Sequence, residues 1–303
     1  MLWTREELRD LQLAGKIAQL ALDKLEPHIK PGISIGTLYD MTEKLITSTK
    51  GADLAFPPNI SVNQCAAHDT AAPNEKRIVS KKALIKIDIG ANVNGMLSDI
   101  ARTFSMDGKN QRLIKASREA LNNAIEIIKP GLRVSKIGEV VQDTIEGFGF
   151  KPVSNLTGHQ LERGYLHAGL SIPNIKAMPF SKRSKLQTGM ILAIEPFASN
   201  GKGPNAGYVG DGSGPALIYS SAGKPKSEIG KVLVKRYQRL PFALRTARRF
   251  LQEKNIKVEN LARILDNDHF RGYCPLIEKS GGLVSQAEHT VLVISKGAKV
   301  ITG

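Results

Sequence analysis

The sequence predicts an α+β fold of two related halves, with a helical segment inserted late in the chain. Three observations carry this reading. The phrase Ile-Lys-Pro-Gly recurs at residues 29–32 and 128–131, each time between two amphipathic helical patterns. Four apolar segments, ALIKIDIG, MLSDIARTFS, MILAIEPF and EHTVLVIS, alternate or are rich in β-branched residues and read as strands. Over residues 203–273 the composition shifts, first to Gly, Pro and Ser and then to basic helix.

The first helix is expected over residues 5–25, where Leu8, Leu11, Leu13, Ile17, Leu20 and Leu22 fall at helical spacing. A Pro-Gly turn and an amphipathic helix follow over residues 29–46. The same order returns in IKPGLRVSKIGEVVQDTI at residues 128–145, again behind an apolar helix. Each copy leads to a Phe-x-Pro and a strand-like segment, FPPNISVNQ from Phe56 and FKPVSNLTGH from Phe150. Two copies are too few for a solenoid. They predict halves related by a pseudo-two-fold axis, with a site between them. The late segment opens with a loop, GKGPNAGYVGDGSGPALIYSSAGKPKS, and continues as helices in KVLVKRYQRLPFALRTARRFLQEKN and VENLARILDND. The expected division is a main unit of residues 1–202 plus 274–303 and an inserted loop and helical subdomain of residues 203–273.

With 303 residues, 41% of them hydrophobic, the chain suits one large domain or a domain with an insertion. No apolar run reaches 18 residues, so no transmembrane helix is expected. The start, MLWTREELRDLQLAGK, lacks the apolar region and small-residue cleavage site of a signal peptide. Cys65 and Cys274 form neither a metal-type motif nor a disulfide scaffold, and a reducing cytoplasm fits this usage. The net charge of +15 is a statement about partners: it favours an anionic neighbour such as RNA or a ribosome, or marks a protein that is simply basic.

Asp88 and Asp99 stand in runs that otherwise read as buried strand. Asn94-Gly95 between them is a strong hairpin signal. With Asn-Gly as the loop, Asp88 is the diagonal neighbour of Asp99; with Val93-Asn94 as the loop, the two face each other. Both registers put the carboxylates on one face, because they differ by two residues and side chains alternate. Paired like charges destabilise a sheet, and burying them unpaired is worse. A shared proton, a basic partner or a metal relieves this; a solvated face is the plainer alternative. His159 and His167 lie in a Gly-flanked, irregular segment, NLTGHQLERGYLHAG; with Glu195 in the apolar strand AIEPF and Glu288 at the head of SQAEHTVLV, one histidine and four carboxylates make up the polar set. Carboxylates with an imidazole and no thiolate suit two divalent first-row metals. Such a pair, about 3.5–4 Å apart, needs bridging carboxylates.

The ordered set resembles the methionine aminopeptidases: Asp88 in KIDIGA, Asp99 in SDIART, His159 in NLTGH, Glu195 in IEPF and Glu288 in QAEHT. The insertion with RLPFALR resembles the type 2 branch in its short, archaeal-like form without an N-terminal extension. The likeness spans essentially the whole chain and implies the pita-bread fold, with a winged-helix-like insertion at residues 203–273. It also implies two divalent ions of Co, Mn, Fe or Zn. Asp88 would chelate one ion, Asp99 and Glu288 would bridge both, and His159 and Glu195 would complete the other's shell. Removal of the initiator methionine from nascent chains would follow, by a metal-activated hydroxide attacking the first peptide bond. Glu195 matches the proton-transfer glutamate. His68 in NQCAAHDT matches a position near the scissile bond, and His167 in YLHAG one that hydrogen-bonds the substrate backbone and the tetrahedral intermediate. Phe56 and Tyr273 resemble residues lining the methionine pocket, where aromatic edges suit a thioether. The chain departs from the pattern at Met96-Leu97-Ser98, where smaller or more polar residues are expected, and at Cys274, where proline is frequent. Asp69, Asp107 and Asp211 match no role and read as surface or turn residues.

Residues 231–257 carry nine Lys/Arg against one acid, Glu253. This reads as a footprint for ribosomal RNA or as a solvated helical face. Two other functions compete with the aminopeptidase. A catalytically dead relative serving as an RNA- or protein-binding module would lack ligands, and all five are present. A proline-type dipeptidase would share the ligands but not this insertion with the HAG and NLTGH contexts. A monomer in the cytoplasm is expected.

Overall fold

A computed structural model describes residues 3–176 and 184–303 of the chain. Helix α1 spans Arg5–Leu25 and begins with a capping box, in which Thr4 accepts from the Glu7 amide and the Glu7 carboxylate accepts from Thr4. Helix α2 spans Ile35–Thr47 and starts at Ser34, whose hydroxyl accepts from the Thr37 amide. Helices α3 (Gln111–Glu126) and α4 (Val134–Gly147) form the second pair.

The repeated turns fold alike, bond for bond. The amide of Gly32 donates to the Val79 carbonyl, Val79 donates back to Ile33, and Ile35 donates to Arg77. In the second copy Gly131 donates to Leu186, Leu186 donates back to Leu132, and Val134 donates to Ser184. Gly32 and Gly131 hold φ of +91° and +85°, a region open to glycine without steric cost. The repeat in the sequence is therefore a repeat in structure.

The main sheet has eight strands, labelled here in chain order: β1 (Asn59–Val62), β2 (Leu84–Ile89), β3 (Ile100–Ser105), β4 (Thr157–Leu161), β5 (Ser171–Pro173), β6 (Ile191–Ile194), β7 (Glu288–Ile294) and β8 (Gly297–Val300). They lie in the order β5-β4-β6-β7-β3-β2-β1, all antiparallel, with β8 on β7. Alternation sorts the two faces. Ile85, Ile87 and Ile89 pack with Leu22, Leu38 and Tyr39 of the first helix pair. Leu192, Ile194, Val291 and Val293 pack with Leu121, Ile137 and Val141 of the second. Both helix pairs thus cover one face, and Asp88 of β2 and the odd positions of β4 and β6 point to the other.

Residues 203–273 hold helices α5 (Glu228–Tyr237), α6 (Leu244–Glu253) and α7 (Leu261–Asp266). Tyr219, Leu233, Phe242, Ala247, Leu251, Leu261, Leu265 and Phe270 make a separate apolar cluster there. The Gly-rich stretch is not all loop: Val209–Asp211 pairs with Leu276–Glu278, and Ile218–Ser221 pairs with Phe270–Tyr273. Burial of Val209, Ile218 and Tyr219 overrides the turn-rich composition. Three arginines of this segment pair with acids of the first half: Arg236 with Asp53 at 2.7 Å, Arg245 with Asp40 at 2.6 Å, and Arg249 with Glu43. Among the described residues no helix is long and apolar enough to cross a membrane.

Candidate metal centre and active site

Asn94 and Gly95 form the hairpin loop with φ of +51° and +89°, and Val93 faces Met96. The same register continues to Ile89 opposite Ile100 and Asp88 opposite Ala101. Asp99 is thus the diagonal neighbour of Asp88, on the face away from the helices. Glu288 opens β7 opposite Ala101, His159 sits on β4 opposite Ala193, and Glu195 follows β6 directly. Neighbouring strands across the middle of the sheet therefore aim all five side chains into one space. His159 Nε2 lies 3.5 Å from Asp99 Oδ2 and 3.7 Å from Glu195 Oε1. Asp99, His159 and Glu288 each offer a ligand atom within 4.8 Å of the others.

These groups are out of balance as they stand. Burial, then mutual repulsion, lifts Asp88, Glu195 and Glu288 well above ordinary carboxylate values. Burial lifts Asp99 to about 8 and lowers His159 to about 4. Asp88 Oδ1, Asp99 Oδ1, His159 Nδ1 and Glu288 Oε1 are buried with no hydrogen-bond partner. An unpaired buried polar atom is costly, so the three orphaned carboxylate oxygens in one place call for cations. Oxygen and imidazole donors without thiolate fit divalent ions, and the residues present fit such a group.

One residue outside the predicted set binds it together. The Gln286 side-chain amide donates to Glu288 Oε2 at 3.2 Å, to Asp88 Oδ2 at 3.3 Å and to Glu195 Oε2 at 3.5 Å. Gln286 ends the short strand Val284–Gln286, just before Glu288 opens β7, and no sequence motif marks it. Lys86, two before Asp88, is likewise fully buried on this side and donates to the carbonyls of Asn63 and Val284.

The five residues line a cavity of about 230 Å³ together with Phe56, His68, His167 and Tyr273. His68 holds a left-handed φ of +61°, strained for a residue with a Cβ. Its ring meets the edge of Tyr273 at 5.5 Å, and the Tyr273 hydroxyl bonds Ser220 at 3.0 Å. The His167 ring lies 4.3 Å from that of His159. Burial lowers His68 to about 4, and burial with the neighbouring His159 lowers His167. Both are neutral near pH 7. Phe56 is buried against Gly90, where an added Cβ would meet the ring at 2.5 Å. Met96 and Leu97 are buried in an apolar cluster with Phe56 and Leu166, which is why that stretch tolerates bulk. Asp69 is not a surface residue: it is buried, and Arg77 donates to both its oxygens.

The model of metallopeptidase family M24 matches residues 9–264. The methionine aminopeptidase of Archaeoglobus fulgidus is 39% identical over 98% of this chain and 99% of its own. That of Thermococcus onnurineus is 38% identical over 98% and 100%. Among solved structures, the Rickettsia prowazekii methionine aminopeptidase superposes with a TM-score of 0.70 at 21% identity, covering 100% of this chain and 99% of that one. A thermophilic Arx1 gives 0.80 at 16% identity, over 99% and 91%. The prolidase of Pyrococcus furiosus gives 0.62 at 19%, covering 100% of this chain and 65% of its own. The shared architecture is the pita-bread fold.

Proposed function

The chain belongs to metallopeptidase family M24 as a metal-dependent hydrolase, and from that premise we propose that it removes the initiator methionine from nascent polypeptides. The observation that carries this is the convergence of four carboxylates and a histidine, with orphaned buried ligand atoms, in a cavity edged by two neutral histidines and two aromatic rings. We assign the five residues to two divalent ions. Asp88 would hold one ion, Asp99 and Glu288 would serve both, and His159 and Glu195 would hold the other. Bound there, divalent ions lower the pKa of a water and polarise the scissile carbonyl.

The remaining roles belong to the chain's own side chains. Glu195 takes a proton from the attacking water at its carboxylate and returns it to the leaving amine. His68 and His167, held neutral, donate hydrogen bonds to the substrate backbone and to the oxygen that gains charge in the transition state. Phe56 and Tyr273 seat the methionine side chain, with ring edges toward the thioether sulfur. We read residues 203–273 as an insertion whose helical part rests on its own apolar cluster. Three of its arginines engage acids of the first half, which leaves exposed Lys235, Arg248, Lys254 and Lys257 for ribosomal RNA. A monomer acting on nascent chains in the cytoplasm completes the reading.

The test strips the metal and restores Mn, Fe, Co and Zn separately, assaying peptides that differ only in their first residue. Metal-dependent release from Met peptides alone, abolished in Asp99→Asn, supports the assignment. Metal binding without cleavage of any peptide refutes it and points to a binding module.

A further inference from the structure

The arginines of the insertion divide into two kinds. Arg236, Arg245 and Arg249 are paired with acids. Arg271, like Arg239, Arg248 and Arg263, is exposed and enters none of the ion pairs found among the described residues. It lies two residues before Tyr273 on the strand Phe270–Tyr273, so both side chains share one face. Its guanidinium carbon stands 5.2 Å from the centre of the Tyr273 ring. That ring is a wall of the cavity and touches His68.

A stacked guanidinium keeps its N–H edge free to bind a carboxylate in two-point fashion. Tyr273 is a wall of that cavity, so a substrate chain that leaves along this wall passes the exposed cation. We propose that Arg271 is a specificity residue that selects substrates bearing a carboxylate just downstream of the scissile bond. The carboxylate is an Asp or Glu side chain, or the C-terminus of a short peptide. This rests on the aminopeptidase reading above.

The metal-loaded protein is assayed on C-terminally amidated Met-Ala-Xaa-Ala peptides with Xaa as Asp, Asn or Lys, and on free Met-Ala-Ala against its amide. For an exposed ion pair the expected ratio of kcat/KM, Asp over Lys, is about fivefold at low salt and shrinks at high salt. Arg271→Met brings the ratio toward one, Arg271→Glu inverts it, and Arg271→Lys keeps most of it. A gain for the free tripeptide over its amide extends the preference to the terminal carboxylate. Equal cleavage of Asp and Lys peptides by the unaltered protein, or an acid preference that survives Arg271→Met, overturns the proposal. If no Met peptide is cleaved at all, the aminopeptidase reading fails instead.

Discussion

Arg77 clamps Asp69, the residue after His68, with hydrogen bonds of 2.9 and 2.8 Å from one nitrogen to both carboxylate oxygens. The same guanidinium holds Glu75 and the Thr70 carbonyl, so the loop that carries His68 is tied at three points. Burial already lifts the Asp69 pKa, and Arg77 is what opposes that rise.

Arg77→Met should therefore act on His68 at a distance. Breaking a fully buried pair costs about 3–5 kcal/mol. Arg77 is 47% exposed, so roughly 1–2 kcal/mol is the expected loss of folding stability. Freed of the clamp, the strained His68 backbone relaxes, and kcat should fall by more than the change in KM. Arg77→Lys keeps the charge but not the fork, and should recover stability better than kcat. A kcat unchanged in Arg77→Met at full metal loading would remove the positioning role.

Gln286→Leu should weaken metal binding. Partners that orient ligands are typically worth about tenfold to a hundredfold in affinity. Gln286 is the one amide shared by Asp88, Glu195 and Glu288, and a leucine of similar volume leaves three carboxylate oxygens without a donor. Competition against a metal-binding dye, with the metal-free protein, reads this without reference to turnover. Equal affinity in the variant would show that the carboxylates need no such anchor.

How much of this was legible in the sequence follows from which signals are local. The helix pairs and the repeat were legible because apolar period and Pro-Gly turns are local, and Gly32 and Gly131 make the same bond to Val79 and Leu186. Asp88 and Asp99 announced themselves by breaking an apolar strand pattern, and the Asn94-Gly95 turn chose between the two registers. Lys86 was visible in LIKIDIG by the same rule as Asp88, yet one buried amine beside two carbonyls has no motif. The Arg77–Asp69 clamp spans a loop, where no period exists to show burial. The strands at residues 209–211 and 218–221 depend on partners at residues 242–243 and 270–278, far along the chain, which Gly-rich composition conceals.

Lys86→Met should change the pH dependence of stability in the alkaline range. Burial lowers the Lys86 pKa from 10.5 to about 8. Between these values the unfolded chain binds more protons than the folded one, so the wild-type protein gains stability relative to the variant as pH rises from 8 to 10.5. Below pH 8 both states carry the charge and the gap is constant. Denaturant midpoints at pH 7.5 and 9.5 decide it. A wild-type advantage that shrinks over this interval contradicts the assignment.

The metal-free protein should show the opposite slope at lower pH, and Asp99 is its marker. Folding raises the Asp99 pKa from 3.8 to about 8 through burial, with Asp88, Glu195 and Glu288 raised beside it. From about pH 4 to 8 the folded state binds more protons than the unfolded one. The protonated carboxyl's contribution is therefore complete below pH 4 and is lost as pH rises through 8. Metal-free wild type should lose stability relative to metal-free Asp99→Asn over that interval, because the amide stays neutral throughout. Metal loading reverses the trend for the wild type, since ions replace the protons. The stabilisation on loading should thus be larger at pH 8 than at pH 5.5, with protons released on binding. Thermal midpoints of both proteins at the two pH values, with and without metal, read the effect directly. A wild-type midpoint that holds level with that of Asp99→Asn in the metal-free state would mean that the carboxylates are not held apart from water as the fold places them.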